Sequence, residues 1–295
     1  MDYPVIINAL TGGTDQARRI NQGLAELAAR YGLAMAVGSQ TIAIQDPGLR
    51  DTFRIVREVN PEGIVLANIG ANSDVSDALT AVEMIDADAL QLHFNIPQEL
   101  AMQEGDRNFK GIMKKVQAIV DNCPVPVIAK EVGFGLSRES VNKLYQIGIK
   151  YFDNGGSGGT NFISIETQRH VSFNSEMLDW GIPTAVSLGE ICSLSLPITI
   201  IASGGIRSSL DAARALAMGA ELVGIAGPLL KVFLREGIDK LDHWMEQFLF
   251  TLKAVFLMSG SANLMQIKEH PLIITGTTAE WLKARGLDPQ KWSRQ

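Results

Sequence analysis

The sequence lacks most of what a secreted, membrane-spanning or nucleic-acid-binding chain needs. It has only two cysteines in 295 residues, Cys123 beside Pro124 and Cys192 in an expected helix, and neither has a basic neighbour of the kind that activates a thiol. Both read as structural. No run of about 18 apolar residues is present to cross a bilayer. The formal charge of −6 provides no basic field for nucleic acid. Met1-Asp2-Tyr3-Pro4 begins neither a charged region nor the apolar core of a secretory signal, so the expectation is a cytoplasmic protein. No interdomain linker interrupts the chain. What is present is a well-mixed globular composition, 46% hydrophobic and 20% charged.

The dominant pattern is a recurring unit: a short run rich in Val, Ile and Ala, then small or polar residues, then a helical periodicity. Eight such runs end at Asn8, Ser39, Asn68, His93, Lys130, Asp153, Ser203 and Ala226. They recur about every 31 residues, the size of one strand plus one helix, which predicts an α/β fold, a single (β/α)8 barrel over residues 1–295. Thr14 is placed to cap a helix ending at Gly32, and Ser208 with Asp211 forms a capping-box pattern for a helix stopped by Gly219. The long interval between the sixth and seventh strands, Thr160 to Trp180, has little periodicity and is expected to be an active-site loop. Leu241 to Met258 reads as an apolar barrel helix or a subunit contact.

In such barrels the loops after the strands build the site, and phosphate often sits after strands seven and eight. Gly204 and Gly205 follow the seventh expected strand and Ala226-Gly227 the eighth, where bare N–H groups can meet an anion. Alone, these glycines need mean no more than tight turns. A third glycine-rich loop, Gly155 to Thr160, lies beside them, and the three together point to a phosphorylated ligand. Thr11, Ser39, Asn68, His93 and Lys130 complete a polar ring at the other strand ends. A lysine there suits an electron-rich ring such as a flavin. The densest group is His93, Asn95, Gln98 and Glu99 in HFNIPQE, where Glu99 is a candidate for Mg2+. A core histidine and a solvated glutamate are the plain alternatives for two of these, whereas Glu104, Asp106 and Arg107 read as loop structure.

At NALTGG (8–13), VGSQ (37–40), HFNIPQE (93–99), KEVGFG (130–135), GGSGGTNF (155–162) and ASGGI (202–206) the sequence resembles the type 2, FMN-dependent isopentenyl diphosphate isomerases. The resemblance spans nearly the whole chain. It implies a barrel of the FMN-dependent type and the interconversion of isopentenyl and dimethylallyl diphosphate. It further implies FMN held by Thr11, Gly12, Ser39, Asn68, Lys130, Thr160, Gly204, Gly205, Ala226 and Gly227. His93, Asn95 and Gln98 would contact the diphosphate substrate, with His93 and Gln98 catalytic, and Glu99 would hold Mg2+. NADPH is the implied reductant, and a homo-oligomer, a tetramer or larger, the implied assembly. The sequence departs from the family pattern in lacking the segment before NALTGG with its Arg-Lys pair, in Thr41 where many relatives have arginine, and in Asn154 at a usually apolar position. Either the sequence is a truncated form of a longer protein or another part of the chain supplies the diphosphate-binding charge.

Two other functions compete. A 2-hydroxy acid oxidase or dehydrogenase shares the glycine loops but wants a histidine beside an arginine after strand seven, where this chain reads SGGIRS. A non-catalytic flavin-binding paralogue would have little use for HFNIPQE.

Overall fold

The computed structural model describes residues 1–169 and 175–294. Eight parallel strands close into a barrel in sequence order. They are β1 (Val5–Ile7), β2 (Ala34–Ala36), β3 (Val65–Gly70), β4 (Ala89–Phe94), β5 (Val127–Glu131), β6 (Tyr151–Asp153), β7 (Thr199–Ser203) and β8 (Leu222–Ile225). Closure comes from β1 against β8, with Ile6 opposite Gly224. The expected strand ends fall on or within a residue or two of these limits, except Ser39, which lies three past β2. There Gly38 turns its N–H to the Thr11 carbonyl, and a Cβ would lie 2.6 Å from the Thr11 backbone, so the ladder stops early.

Strand alternation divides the core into two layers. Val5, Ile7, Met35, Val65, Ala67, Leu90, Leu92, Ala129 and Phe152 face the helices and join the large outer core. Ile6, Ala34, Ala36, Leu66, Ala89, Ile128 and Ile201 fill the barrel interior. Two residues further along the strands that inward face changes character. Asn8 follows Ile6, Asn68 follows Leu66, Gln91 and His93 follow Ala89, Lys130 follows Ile128 and Ser203 follows Ile201. An apolar plug thus closes the bottom and a polar layer the top.

The helices obey their sequence signals. Asp15–Tyr31 is capped by the Thr14 hydroxyl and ended by Gly32 at φ 60°. Ser209–Met218 has the full Ser208–Asp211 capping box. Ile238–Met258 buries Leu241, Met245, Phe248, Leu249 and Leu252 and leaves Phe250, Leu257 and Met258 exposed. No helix among the described residues is long and apolar enough to cross a membrane. Burial pushes the Cys192 thiol up to about 12 and raises Cys123 too, in keeping with structural thiols.

One expectation is corrected. The interval from Thr160 to Trp180 is not a plain loop: Phe162–Arg169 is a helix and Ser175–Asp179 a 3-10 turn, while residues 170–174 lie outside the described part. The Asn161 side chain accepts the Ser164 N–H at 3.0 Å, and Ile163 packs on Ala101 and Phe134. At eight residues the helix is too short for its periodicity to stand out.

Candidate active site

Four strands converge on one buried carboxylate. Asp153, at the end of β6, is fully buried. Its Oδ2 accepts from Asn8 Nδ2 at 2.7 Å and Lys130 Nζ at 3.0 Å; its Oδ1 accepts from the Ser203 hydroxyl and from the Gly155 N–H at 3.3 Å. Desolvating two charges is costly, and this pair offsets the cost by filling the carboxylate's lone pairs. Lys130 spends a second N–H on the Glu131 carbonyl at 3.5 Å. Its third has no partner among the described residues. Beneath, Asn8 Oδ1 accepts from Gln91 Nε2 at 3.1 Å, and the buried Gln91 Oε1 is unpartnered.

Beside this hub, Asn68 orients His93. Gln40, fully buried, accepts the Asn68 N–H at 2.9 Å and donates to the Ala81 carbonyl at 2.9 Å. The Asn68 amide donates to the Val37 carbonyl at 3.1 Å, which leaves Oδ1 to accept from His93 Nδ1 at 2.8 Å. His93 therefore carries its proton on Nδ1 and presents Nε2 as an acceptor. Burial, with Lys130 nearby, lowers its pKa to about 4, so the ring is neutral near pH 7.

After β4 the short helix Ile96–Ala101 carries Gln98 and Glu99, with Pro97 in its first turn. Asn95 Nδ2 donates to Glu99 Oε1 at 2.6 Å, and the Asp106 N–H to Oε2 at 2.8 Å. Arg107 clasps the carbonyls of Glu99, Met102 and Gly105, the structural part expected of the EGDRNF segment. The Gln98 amide makes no hydrogen bond among the described residues.

The glycine loops pack backbone to backbone. Gly204 and Gly205 have φ of 93° and 83°, and a Cβ on Gly204 would lie 2.1 Å from the Gly156 carbonyl oxygen. Only glycine satisfies both conditions. The N–H groups of Gly158, Gly159, Gly204, Gly205 and Gly227 donate to nothing among the described residues. Gly227 opens the helix Gly227–Glu236, and Gly133, the 157–161 loop and Leu178 to Trp180 line a cavity of about 350 Å3. Gly12 lies against the Phe53 ring, Thr11 is partly buried and Thr160 exposed. The Ser39 hydroxyl is 3.1 Å from that of Thr41. Asn154 bridges the Thr184 carbonyl and the Ser203 N–H, at 3.0 Å each, a structural use for the amide.

Sequence reasoning left Asp153, Asn8, Gln91, Gln40 and Glu131 without roles. Asn8 and Asp153 were visible as strand ends, but their function depends on strand order, which sets Lys130 opposite Asp153. Glu131 Oε2 accepts the N–H groups of Gly133, Phe134 and Gly135 at 2.7, 2.5 and 3.0 Å and so shapes the KEVGFG turn. Burial raises its pKa to about 7 despite those donors.

Comparison with known proteins decides the family. The FMN-dependent dehydrogenase family matches residues 80–274. The isopentenyl-diphosphate delta-isomerase of Symbiobacterium thermophilum is 48% identical over 97% of this chain and 79% of its own length. That of Moorella thermoacetica is 49% identical over 96% and 82%. The chain belongs to the isopentenyl-diphosphate delta-isomerase family. A solved mandelate oxidase with benzoyl-formic acid superposes with a TM-score of 0.64, covering 90% of this chain and 76% of that one, at 15% identity. Such a likeness carries the barrel fold alone. In the SGGIRS turn directly after β7 this isomerase-family chain has no histidine, and its Arg207 donates to the Gly158 carbonyl.

The residues present fit FMN. The loops after β6, β7 and β8 carry five N–H groups with no partner among the described residues, which suits an anion, and Lys130 at the end of β5 keeps one N–H uncommitted. Among the described residues no group of three or more His, Cys, Asp or Glu is placed to hold a metal ion. One carboxylate suits a magnesium ion that keeps waters and takes phosphate oxygens from its substrate.

Proposed function

We infer that this chain catalyses the FMN-dependent interconversion of isopentenyl and dimethylallyl diphosphate. The observation that carries the reading is the junction, on one barrel mouth, of the glycine N–H cradle with the buried Lys130–Asp153 hub, in a chain of this family. Gly204, Gly205, Ala226, Gly227 and Thr160 hold the FMN phosphate, while Lys130, Asn68, Ser39, Thr11 and Gly12 hold its ring. Bound and reduced, with NADPH as the electron source, FMN supplies acid and base chemistry at its N5 for a reaction with no net redox change.

The protein's own part is to bind and orient. Neutral His93 offers Nε2 as an acceptor without adding a second buried cation beside Lys130. Gln98, with its amide uncommitted, and Asn95 reach the diphosphate side, and His93 and Gln98 touch the reacting carbons' surroundings. Glu99, fixed by Asn95 and Asp106, presents Mg2+ to the diphosphate. A homo-oligomer, a tetramer or larger, and cytoplasmic residence belong to the same reading; the exposed Phe250, Leu257 and Met258 offer an apolar face for a subunit contact, and no helix among the described residues is long and apolar enough to cross a membrane.

The test is anaerobic turnover. The purified chain with FMN, NADPH and Mg2+ converts isopentenyl diphosphate to dimethylallyl diphosphate, and both chelation of Mg2+ and Glu99→Gln abolish conversion. Tight FMN binding with no conversion in either direction contradicts the reading.

A further inference from the structure

Lys130 owes its place to neighbours on other strands. Its ammonium is nearly buried, and its one ion-pair partner among the described residues is Asp153. That carboxylate cannot drift: Asn8 from the end of β1, Lys130 from β5, Ser203 from β7 and the turn N–H of Gly155 each hold one of its oxygens. Gly155 lies so close to β5 that a Cβ there would be 1.8 Å from the Glu131 carbonyl oxygen, and it sits at φ 45°, so only glycine fits the turn. Two of the three lysine N–H vectors are thereby assigned, and the third is left for a ligand. Geometry and charge balance are thus set before any ligand arrives.

We propose that Asp153 is a positioning residue that fixes Lys130 against the electron-rich edge of the flavin ring. The proposal rests on the reading of Lys130 as a flavin contact. It separates from a purely structural role because the two removable charges act on a reduced flavin with opposite signs. Deleting a carboxylate near the ring, with the lysine still in place, makes the surroundings more positive and raises the flavin's reduction potential. Releasing the lysine removes the nearest cation and lowers it.

The experiment is a double-mutant cycle on the FMN-loaded protein, reading the FMN dissociation constant by fluorescence titration and the midpoint potential of bound FMN. Lys130→Met lowers the potential and weakens FMN binding about tenfold or more, as expected for one charge-assisted hydrogen bond. Asp153→Asn also lowers the potential in the wild-type background, but leaves it unchanged or raises it in the Lys130→Met background. A raised potential in the wild-type background, or the same fall in both, overturns the proposal. A Lys130→Met protein with wild-type potential and FMN affinity overturns the flavin-contact reading itself, and the positioning role with it. If Asp153→Asn does not fold, Ser203→Ala, which removes only the hydroxyl donor to Oδ1, stands in. It weakens FMN binding about threefold in the wild-type background and not with Lys130→Met, and equal effects in both overturn the proposal.

Discussion

Lys130 and Asp153 lie 23 residues apart and meet inside the barrel, whereas Asn95 and Glu99 lie four apart and meet on a short helix at the rim. The first pair is nearly solvent-free and locked by groups from β1, β5, β6 and β7. The second is partly exposed and held mostly within its own β4 loop, through Asp106 and Arg107, with Asn72 after β3 donating to Asp106 at 2.9 Å. The inner region is rigid because moving any one group breaks bonds to several strands. The rim pair makes fewer bonds to other strands, so a shift there breaks fewer of them. A cofactor that stays and a substrate that comes and goes make these different demands.

Several measurements sharpen or break this contrast. The largest loss is expected from Gly155→Val: with φ 45° and a carbonyl 1.8 Å from the new Cβ, β5 and the 155–159 loop must separate, and calorimetry should show a barrel that unfolds many degrees earlier or does not fold. Next, Lys130→Ala leaves Asp153 buried and unpaired, at a cost of about 3–5 kcal/mol in denaturant unfolding. Glu99→Gln at the rim should change stability by less than about 1 kcal/mol while removing turnover. Equal destabilisation by these two would erase the distinction.

Two titrations give smaller effects. The Glu131 pKa, raised from 4.5 to about 7, means that the protonated acid is favoured by folding. Its contribution is full below pH 4.5 and lost as pH rises through about 7, so Glu131→Gln should gain on the wild type across that window. Parallel stability curves would show that the three donated N–H groups cancel the burial. His93, lowered from 6.5 to about 4, behaves oppositely, contributing fully above pH 6.5 and losing stability as pH falls toward 4. Its imidazole resonances should titrate with a midpoint near 4, and a midpoint near 6.5 would place the ring in water rather than against Asn68.

Much of the scaffold was legible because it repeats. Thr14, Gly32, Ser208 and Gly219 mark helix ends by local rules, and the eight apolar runs fix the strand count and hence the barrel. The glycine loops were equally plain, since positive φ at Gly204 and Gly205 leaves a compositional mark. Long-range relations were not legible. Asp153 stood out as a strand end, but nothing within its own segment says that Lys130 and Asn8 will converge on it. Glu131 resembled an ordinary charged neighbour of Lys130 until the turn folded three N–H groups onto it. The Phe162–Arg169 helix was hidden for a different reason, as eight residues with one firm apolar anchor, Ile163, carry little periodic signal.

The central claim, that the inner layer and its glycine loops form a ready-made FMN site, is tested most directly by titrating the FMN-free chain with FMN and following flavin fluorescence. The account predicts saturable one-to-one binding that is lost in Gly205→Val, where a side chain would enter at φ 83° with its Cβ 2.5 Å from the Gly158 carbonyl oxygen. Binding that never saturates, or that survives this substitution unchanged, would contradict it.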